Sequence, residues 1–295
     1  MPSGLIMKGI GGFYYVKTDD GIYECKARGL FRKHSVTPLP GDRVSISVVD
    51  SSTKTGYVEE ILPRDTQLIR PAVANVNQLV LVVSVKSPPP DLILLDKLLV
   101  TASNKEIDCI ICINKIDLDN DNEYIRIKDS YNKAGYNAIP LSSVQDIGFD
   151  SLEEALAGKI TVFAGQSGVG KSTILNKILN SYVMETGKVS EKIERGKHTT
   201  RHAELHELKS GGLLADTPGF SSFDLSGIEP GELQYYYPEF TDFFGKCKFN
   251  GCNHIGEPGC EVKKAADKGD IDLFRYRRYI EFYNSLKEQQ KKKYS

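Results

Sequence analysis

The rhythm of hydrophobic and polar positions changes twice along the chain. Up to about residue 66 the apolar positions come in short runs, GGFYYVKT, GIYECKAR, DRVSISVVD and TGYVEEIL, separated by Asp-Gly, Pro-Gly and Thr-Gly turn signals. Short strands at close spacing predict a small all-β barrel or sandwich. From about residue 70 the runs become those of buried strands, mostly apolar: LVLVVSV (79–85), IDCIICI (107–113) and KITVFA (159–164). Between them, DLILLDKLLVTASNK (91–105) sets Leu92, Leu95, Leu98, Leu99 and Ala102 on one helical face, and STILNKILN (172–180) follows a glycine-rich loop. Buried strands alternating with helices predict a parallel sheet covered on both faces. That texture ends near residue 222. The rest carries a cysteine and histidine cluster, then an aromatic and basic helical stretch, LFRYRRYIEFYNSLKEQQKKK.

Three segments are thus expected: 1–66, 67–222 and 223–295. An OB-fold suits the first, and such barrels often bind oligonucleotides; a barrel with no such role fits the same pattern. The 295 residues carry a formal net charge of −1, which excludes a uniformly basic nucleic-acid binder. The charge is uneven, however. Residues 1–70 hold ten Lys/Arg against eight Asp/Glu, residues 263–295 hold ten against five, and the remainder is −8. Two basic flanks point to a polyanionic partner. Six cysteines, three of them close together in the last fifty residues, fit metal binding better than disulfides in a chain of this size. The apolar run 79–85 is too short to cross a bilayer and the N-terminus does not read as a signal peptide, so a cytoplasmic protein with no membrane association is expected.

The glycine-rich loop is Gly165-Gln166-Ser167-Gly168-Val169-Gly170-Lys171-Ser172, followed by Thr173. It fits G-x-x-x-x-G-K-[ST] in full, between an apolar strand and a helix. Its glycines let backbone N–H groups converge on phosphate oxygens, and the helix N-terminus adds positive potential. Lys171 is expected on the β- and γ-phosphates and Ser172 on Mg²⁺. Downstream, DTPG (216–219) follows an apolar stretch; Asp216 is expected to hold Mg²⁺ and Gly219 to offer its N–H to the γ-phosphate. Between them, ERGKHTTR (194–201) offers Thr199 and Thr200 as γ-phosphate sensors, Thr200 preferred, with Mg²⁺ its second ligand.

Some fifty residues before the phosphate loop stands Asn114-Lys115-Ile116-Asp117. A carboxylate can accept from both N1–H and N2–H₂ of guanine, a pair adenine does not present. Asn114 can bridge the base and the phosphate loop, and the Lys115 stem can cover the base. Ser142 and Ser143, ending another strand-like run, can turn backbone N–H groups toward guanine O6. The order is base reader, base support, phosphate loop, sensor and metal aspartate. The usual order starts at the phosphate loop, so this one is a circular permutation, which keeps a core intact if the old termini lie close together.

In the order NKID, LSS, GQSGVGKS, KHTT and DTPGF, with a β-rich N-terminal segment and a C-terminal Cys/His cluster, the chain resembles the circularly permuted bacterial GTPases called ribosome small-subunit-dependent GTPase A. The resemblance covers essentially the whole chain. It implies an α/β fold, with a permuted P-loop GTPase domain between an N-terminal OB-fold and a mainly helical zinc-binding domain. It also implies a GTP phosphohydrolase that is stimulated by the small ribosomal subunit, contacts its rRNA and acts in late subunit maturation. GTP/GDP, Mg²⁺ and one structural Zn²⁺ are the implied cofactors. A monomer is expected.

Cys247, Cys252, His254 and Cys260 supply three thiolates and an imidazole within fourteen residues, enough for closed tetrahedral zinc. Cys109 and Cys112 lie inside an apolar strand on opposite faces and read, like Cys25, as core filler. For hydrolysis, Phe220 occupies the place after the metal Asp-x-x-Gly where many GTPases carry a water-orienting glutamine, so slow intrinsic turnover is expected. His198 is the replacement considered; packing or a partner contact is the other reading of it. Lys26, Arg28, Arg32, Lys33, Arg275, Arg277 and Arg278 are candidate RNA contacts, and Tyr235, Tyr236 and Tyr237 candidates for packing. An ATP-dependent P-loop enzyme is disfavoured by NKID. A GTP-sensing, RNA-binding assembly factor with negligible turnover is the remaining alternative.

Overall fold

Alternation with a period of two builds the first part of the chain. In β1 (Ser3–Ile10), β2 (Phe13–Thr18), β3 (Gly21–Ala27), β4 (Arg43–Asp50) and β5 (Thr55–Ile61), Ile6, Val16, Tyr23, Cys25, Val44, Ile46 and Val58 point inward and form one core. The computed structural model describes residues 1–29, 31, 36–186, 203–220, 225 and 227–293. The strands pair β1–β2, β2–β3, β4–β5 and β1–β4 antiparallel and β3–β5 parallel, which closes a five-stranded barrel of OB type. Closure is made where Ser3, Gly4 and Leu5 meet Ser45, Val44 and Arg43. A two-stranded ribbon, β6 (Gln67–Leu68) with β7 (Val73–Ala74), follows the barrel.

The chain forms two compact units. The first holds residues 1–79, 149–164 and 171–220, and the second holds 80–148, 165–170 and 221–295. In the first unit, besides the barrel, β11 (Ile160–Ala164) runs parallel to β13 (Leu213–Phe220), and β13 pairs antiparallel with β12 (Glu204–Glu207). All five residues of β11 are buried, as expected for a strand covered on both faces. Lys8 of β1 lies opposite Glu204 of β12, with an ion pair of 3.3 Å. Helix α3 (Phe149–Ala155) leads to β11, and α4 (Lys171–Thr186) buries Ile174, Leu175, Ile178 and Leu179.

The second unit contains most of β8 (Gln78–Ser84), together with β9 (Asp108–Asn114) and β10 (Asn137–Pro140); β9 lies between β8 and β10 and runs parallel to the latter. Helix α1 (Leu92–Ser103) starts at Asp91, whose carboxylate accepts the Leu94 N–H at 2.8 Å. It buries Leu95, Leu98, Leu99 and Ala102, and also Asp96. Helix α2 (Glu123–Lys133) buries Ile127 and Tyr131. The C-terminal residues form short 3₁₀ turns at Pro230–Tyr236 and Pro238–Phe243, helix α5 (Glu261–Lys268) and helix α6 (Leu273–Lys293). Leu233, Tyr237, Phe240, Val262, Tyr279 and Phe282 lie in one core with Val100 of α1.

Arg275 of α6 fastens that core. It is 1% exposed and pairs with Asp96 of α1 and with Glu239. Three tyrosine rings surround its guanidinium, Tyr131, Tyr136 and Tyr237, at 5.2, 5.3 and 4.8 Å. Asp96 also accepts from Arg278 and, at 2.8 Å, from the Tyr131 hydroxyl. Burial alone would lower the Arg275 pKa, but Glu239 and Asp96 outweigh it and hold the guanidinium above its ordinary value.

Candidate nucleotide site and metal centre

The candidate base-reading residues sit where β9 stops. Asn114 is its last residue and is 2% exposed. Lys115 takes a left-handed conformation (φ 64°), which turns the chain out of the sheet into a single 3₁₀ turn, Ile116–Leu118. The Asn114 amide donates to the carbonyl of Val169 at 2.8 Å. The Lys115 ammonium donates to the carbonyls of Gly168, at 2.7 Å, and Ser87. These bonds tie the base-reading turn to the phosphate loop. Asn114 Oδ1 is buried and has no hydrogen-bond partner among the described residues, which leaves an acceptor open for a bound group.

Asp117 is half-buried, and its carboxylate accepts from the Ser142 hydroxyl at 2.6 Å. That bond fixes the carboxylate and leaves lone pairs for a base edge. The expectation for Ser142 itself needs correction. Its N–H donates to the Ile147 carbonyl at 3.1 Å, so it is not free for guanine O6. A tight Ser142–Ile147 bridge consumes the backbone group and turns the side chain to Asp117. Ser143 is half-buried beside it.

The phosphate loop needs its glycines for measurable reasons. Gly165 has φ +142° and a side chain there would lie 2.2 Å from the Val82 carbonyl oxygen. Gly170 has φ +101°, and a Cβ would meet the Asn114 amide nitrogen at 2.3 Å. The backbone is thus left bare where a phosphate is expected to approach. Val169 is buried, while Ser167 and Gly168 are exposed and Gln166 is half-buried. The loop runs straight into α4, whose first residues are Lys171, Ser172 and Thr173. Partial burial lowers the Lys171 ammonium below its ordinary pKa, the direction expected of a charge held out of water for an anion.

In the first unit, Asp216 lies in β13 opposite Glu204, with Leu214 and Ala215 buried just before it. Gly219 lies in the same strand, one residue before Phe220, which pairs with Ala164. His198, Thr199 and Thr200 lie outside the described residues, as do Arg32 and Lys33.

Cys247, Cys252, His254 and Cys260 converge, with their ligand atoms all within 4.8 Å of one another. His254 Nδ1 is 3.6 Å from the Cys247 sulfur and 3.4 Å from that of Cys260. Tetrahedral zinc with bonds of about 2.0–2.3 Å sets its ligands roughly 3.5 Å apart, so this donor set fits. The surroundings fit as well. His254 Nε2 lies 3.0 Å from Gln234 Oε1, which makes Nε2 the protonated nitrogen and Nδ1 the free one. The Glu261 and Lys263 N–H groups, at the start of α5, donate to the sulfurs of Cys247 and Cys260. Burial lowers the His254 pKa, which favours the neutral, ligating form. Four donors leave no open position, so a metal here would be structural. Cys112 is fully buried, as core filler should be, and Cys109 is half-buried.

The sequence profile of the RsgA GTPase matches residues 61–226, and that of the RsgA N-terminal domain matches residues 3–58. The chain belongs to the RsgA family of GTPases. The small ribosomal subunit biogenesis GTPase RsgA of Ruminiclostridium cellulolyticum is 59% identical, over 98% of this chain and 95% of its own. The protein of the same name from Alkaliphilus metalliredigens is 46% identical, over 98% and 99%. Two solved structures superpose along nearly the whole length. YjeQ from Thermotoga maritima has a TM-score of 0.82 at 34% identity, covering 97% of this chain and 98% of its own. YloQ, described as a circularly permuted GTPase, has 0.81 at 40%, covering 98% and 96%. The fold is accordingly α/β, a circularly permuted P-loop GTPase domain with an N-terminal OB-type barrel and a mainly helical C-terminal part that carries the Cys₃His cluster. As an RsgA GTPase the chain uses GTP/GDP and Mg²⁺.

Two of the candidate RNA contacts are something else. Arg275, buried, and Arg278, half-buried, are the cations of the Asp96 network, while Arg277 is exposed. Lys26 and Arg28 are exposed on the barrel, over the rings of Phe13 and Tyr57. Tyr237 is core, Tyr236 donates to Asn104 at 2.8 Å, and Tyr235 is exposed. No described helix is long and apolar enough to cross a membrane.

Proposed function

We propose that this chain binds the small ribosomal subunit through its rRNA and hydrolyses GTP when that contact is made, as a late step of subunit maturation in the cytoplasm. The observation that carries the reading is the tie between base reader and phosphate loop, Asn114 to Val169 and Lys115 to Gly168, on a chain whose relatives at 59% and 46% identity are named small ribosomal subunit biogenesis GTPases. In this reading Asp117, oriented by Ser142, accepts the two donors of the guanine edge, and Ser143 offers its N–H to O6. Residues Gly165 to Gly170 wrap the phosphates with backbone N–H groups, and Thr173 continues their first helical turn. Lys171 neutralises β- and γ-phosphate charge. Ser172, Asp216 and Thr200 hold Mg²⁺, with Thr199 the second candidate sensor, and Gly219 meets the γ-phosphate. His198 orients the attacking water, since Phe220 has no group to do so. Zinc on Cys247, Cys252, His254 and Cys260 holds the C-terminal part in shape. The protein works as a monomer.

The test is GTP turnover by the purified protein, alone and with isolated small subunits. Slow turnover that rises steeply with subunits is expected. Flat, negligible turnover in both, with GTP binding intact, would establish a GTP sensor instead. His198→Ala is then expected to abolish stimulation while GTP affinity holds; full stimulated turnover in that protein removes His198 from the mechanism.

A further inference from the structure

A cavity of about 170 Å³ opens among α1, α2 and α6, away from the base reader and the zinc ligands. Leu92, Ile127 and the Tyr131 ring give it an apolar lining, with Ser130 beside them. Phe274, in the first turn of α6, stands at its edge and is 53% exposed. Two guanidinium groups flank that ring, Arg126 of α2 at 5.7 Å and Arg277 at 5.6 Å. Beyond these two cations, about half of the phenylalanine surface is open to solvent. It is a platform of the kind on which nucleobases stack, with cations placed for the adjoining phosphates.

The polar groups sort the ligand. Asp272 lines the cavity and caps α6, accepting the Arg275 N–H at 2.8 Å, so a carboxylate stands in the cavity wall. It repels a phosphate from the interior and leaves that space to a neutral ring. Arg278 also lines it, but its charge is taken up by Asp96. The cations left for phosphate are at the rim. Arg126 is held there by Glu123, one turn earlier, in an ion pair whose side chains are 59% and 35% exposed. Such an exposed pair is weak and exchanges readily for a phosphate. The volume admits one aromatic ring of base size, and an engineered cavity of about 150 Å³ holds benzene.

We infer that this cavity receives one unstacked base of single-stranded RNA, stacked on Phe274, with its flanking phosphates on Arg126 and Arg277. The inference rests on the proposed RNA partner and adds a place and a mode of contact to it.

The chain contains no tryptophan, so Phe274→Trp creates a single fluorescent reporter in the full-length protein. The protein is saturated with GDP, and a single-stranded RNA decamer is titrated in. Quenching of the tryptophan emission is expected. Adding Arg126→Ala or Arg277→Ala should each lower the slope of log K against log salt by about 0.7, the value for one phosphate contact to a single strand. In the parent chain, Phe274→Ala should weaken decamer binding, read by anisotropy of a labelled RNA, roughly 5- to 150-fold. Unchanged affinity in Phe274→Ala overturns the inference. So does equal quenching by blunt duplex RNA or by a free nucleoside monophosphate. Small-subunit stimulation of GTP turnover is measured on the same proteins. Decamer quenching without any stimulation sinks the proposed function and leaves the pocket standing; stimulation with no effect of Phe274→Ala on the decamer does the reverse.

Discussion

Replacing Arg275 with Met tests the claim that the C-terminal part is fastened to α1 by a buried charge. The side chain is 1% exposed, Asp96 is fully buried and Glu239 is 6% exposed. Methionine keeps most of the stem but leaves Glu239 without its cation and Asp96 with only Arg278 and Tyr131. Breaking one member out of a buried ion pair costs about 3–5 kcal/mol. A thioether among three tyrosine rings returns at most about 1 kcal/mol of that. The net loss is therefore about 2–4 kcal/mol. With a urea m-value of about 3 kcal/mol/M, the unfolding midpoint falls by roughly 0.7–1.3 M. Far-UV circular dichroism in a urea series reads it directly. Adding Glu239→Gln removes the stranded carboxylate, so the double variant should be more stable than Arg275→Met alone. A midpoint unchanged by Arg275→Met, or a double variant no better than the single one, would refute the reasoning.

Three further outcomes follow from the site. Asp117→Ala removes two charge-assisted hydrogen bonds to guanine, worth about 1.5–3 kcal/mol each, so GTP affinity should fall ~100-fold or more while the weak affinity for ATP stays; isothermal titration measures both. Gly170→Ala places a methyl 2.3 Å from the Asn114 amide at a φ of +101°, and should abolish labelled-GDP binding, whereas the same change at the exposed Gly158 should not. Atomic absorption should find one zinc per chain, lost in Cys260→Ser, and chelation should lower the thermal midpoint while leaving GDP affinity largely intact, because none of the nucleotide residues is a zinc ligand.

What the sequence could disclose depends on how far apart the cooperating residues lie. The NKID turn, the phosphate loop and the cysteine cluster are each legible because their chemistry needs particular residue types within a few positions. The barrel is only half legible: alternation marks its strands, but nothing local says that β3 pairs parallel with β5 or that β1 closes on β4. The Ser142 N–H is not legible as engaged, because its acceptor, the Ile147 carbonyl, is set by a turn and not by the motif. Arg275 and Arg278 look like surface cations in the sequence, because a basic residue in an aromatic helix is usually solvated. Their partner Asp96 is 179 and 182 positions away. One signal was present: in DLILLDKLL, Asp96 falls on the apolar face of α1, and a carboxylate there requires a buried cation.

Lys115 carries a consequence for time as well as for structure. Its two carbonyl partners, and that of Asn114, are protein atoms, so the base-reading turn and the phosphate loop hold each other without needing a nucleotide between them. A guanine held at this turn would therefore meet a recess that is already shaped, with no ordering step to tax its entry. Capture should then proceed as a single step with a rate linear in nucleotide concentration. Differences in affinity between guanine nucleotides will be written almost wholly in how long each one stays.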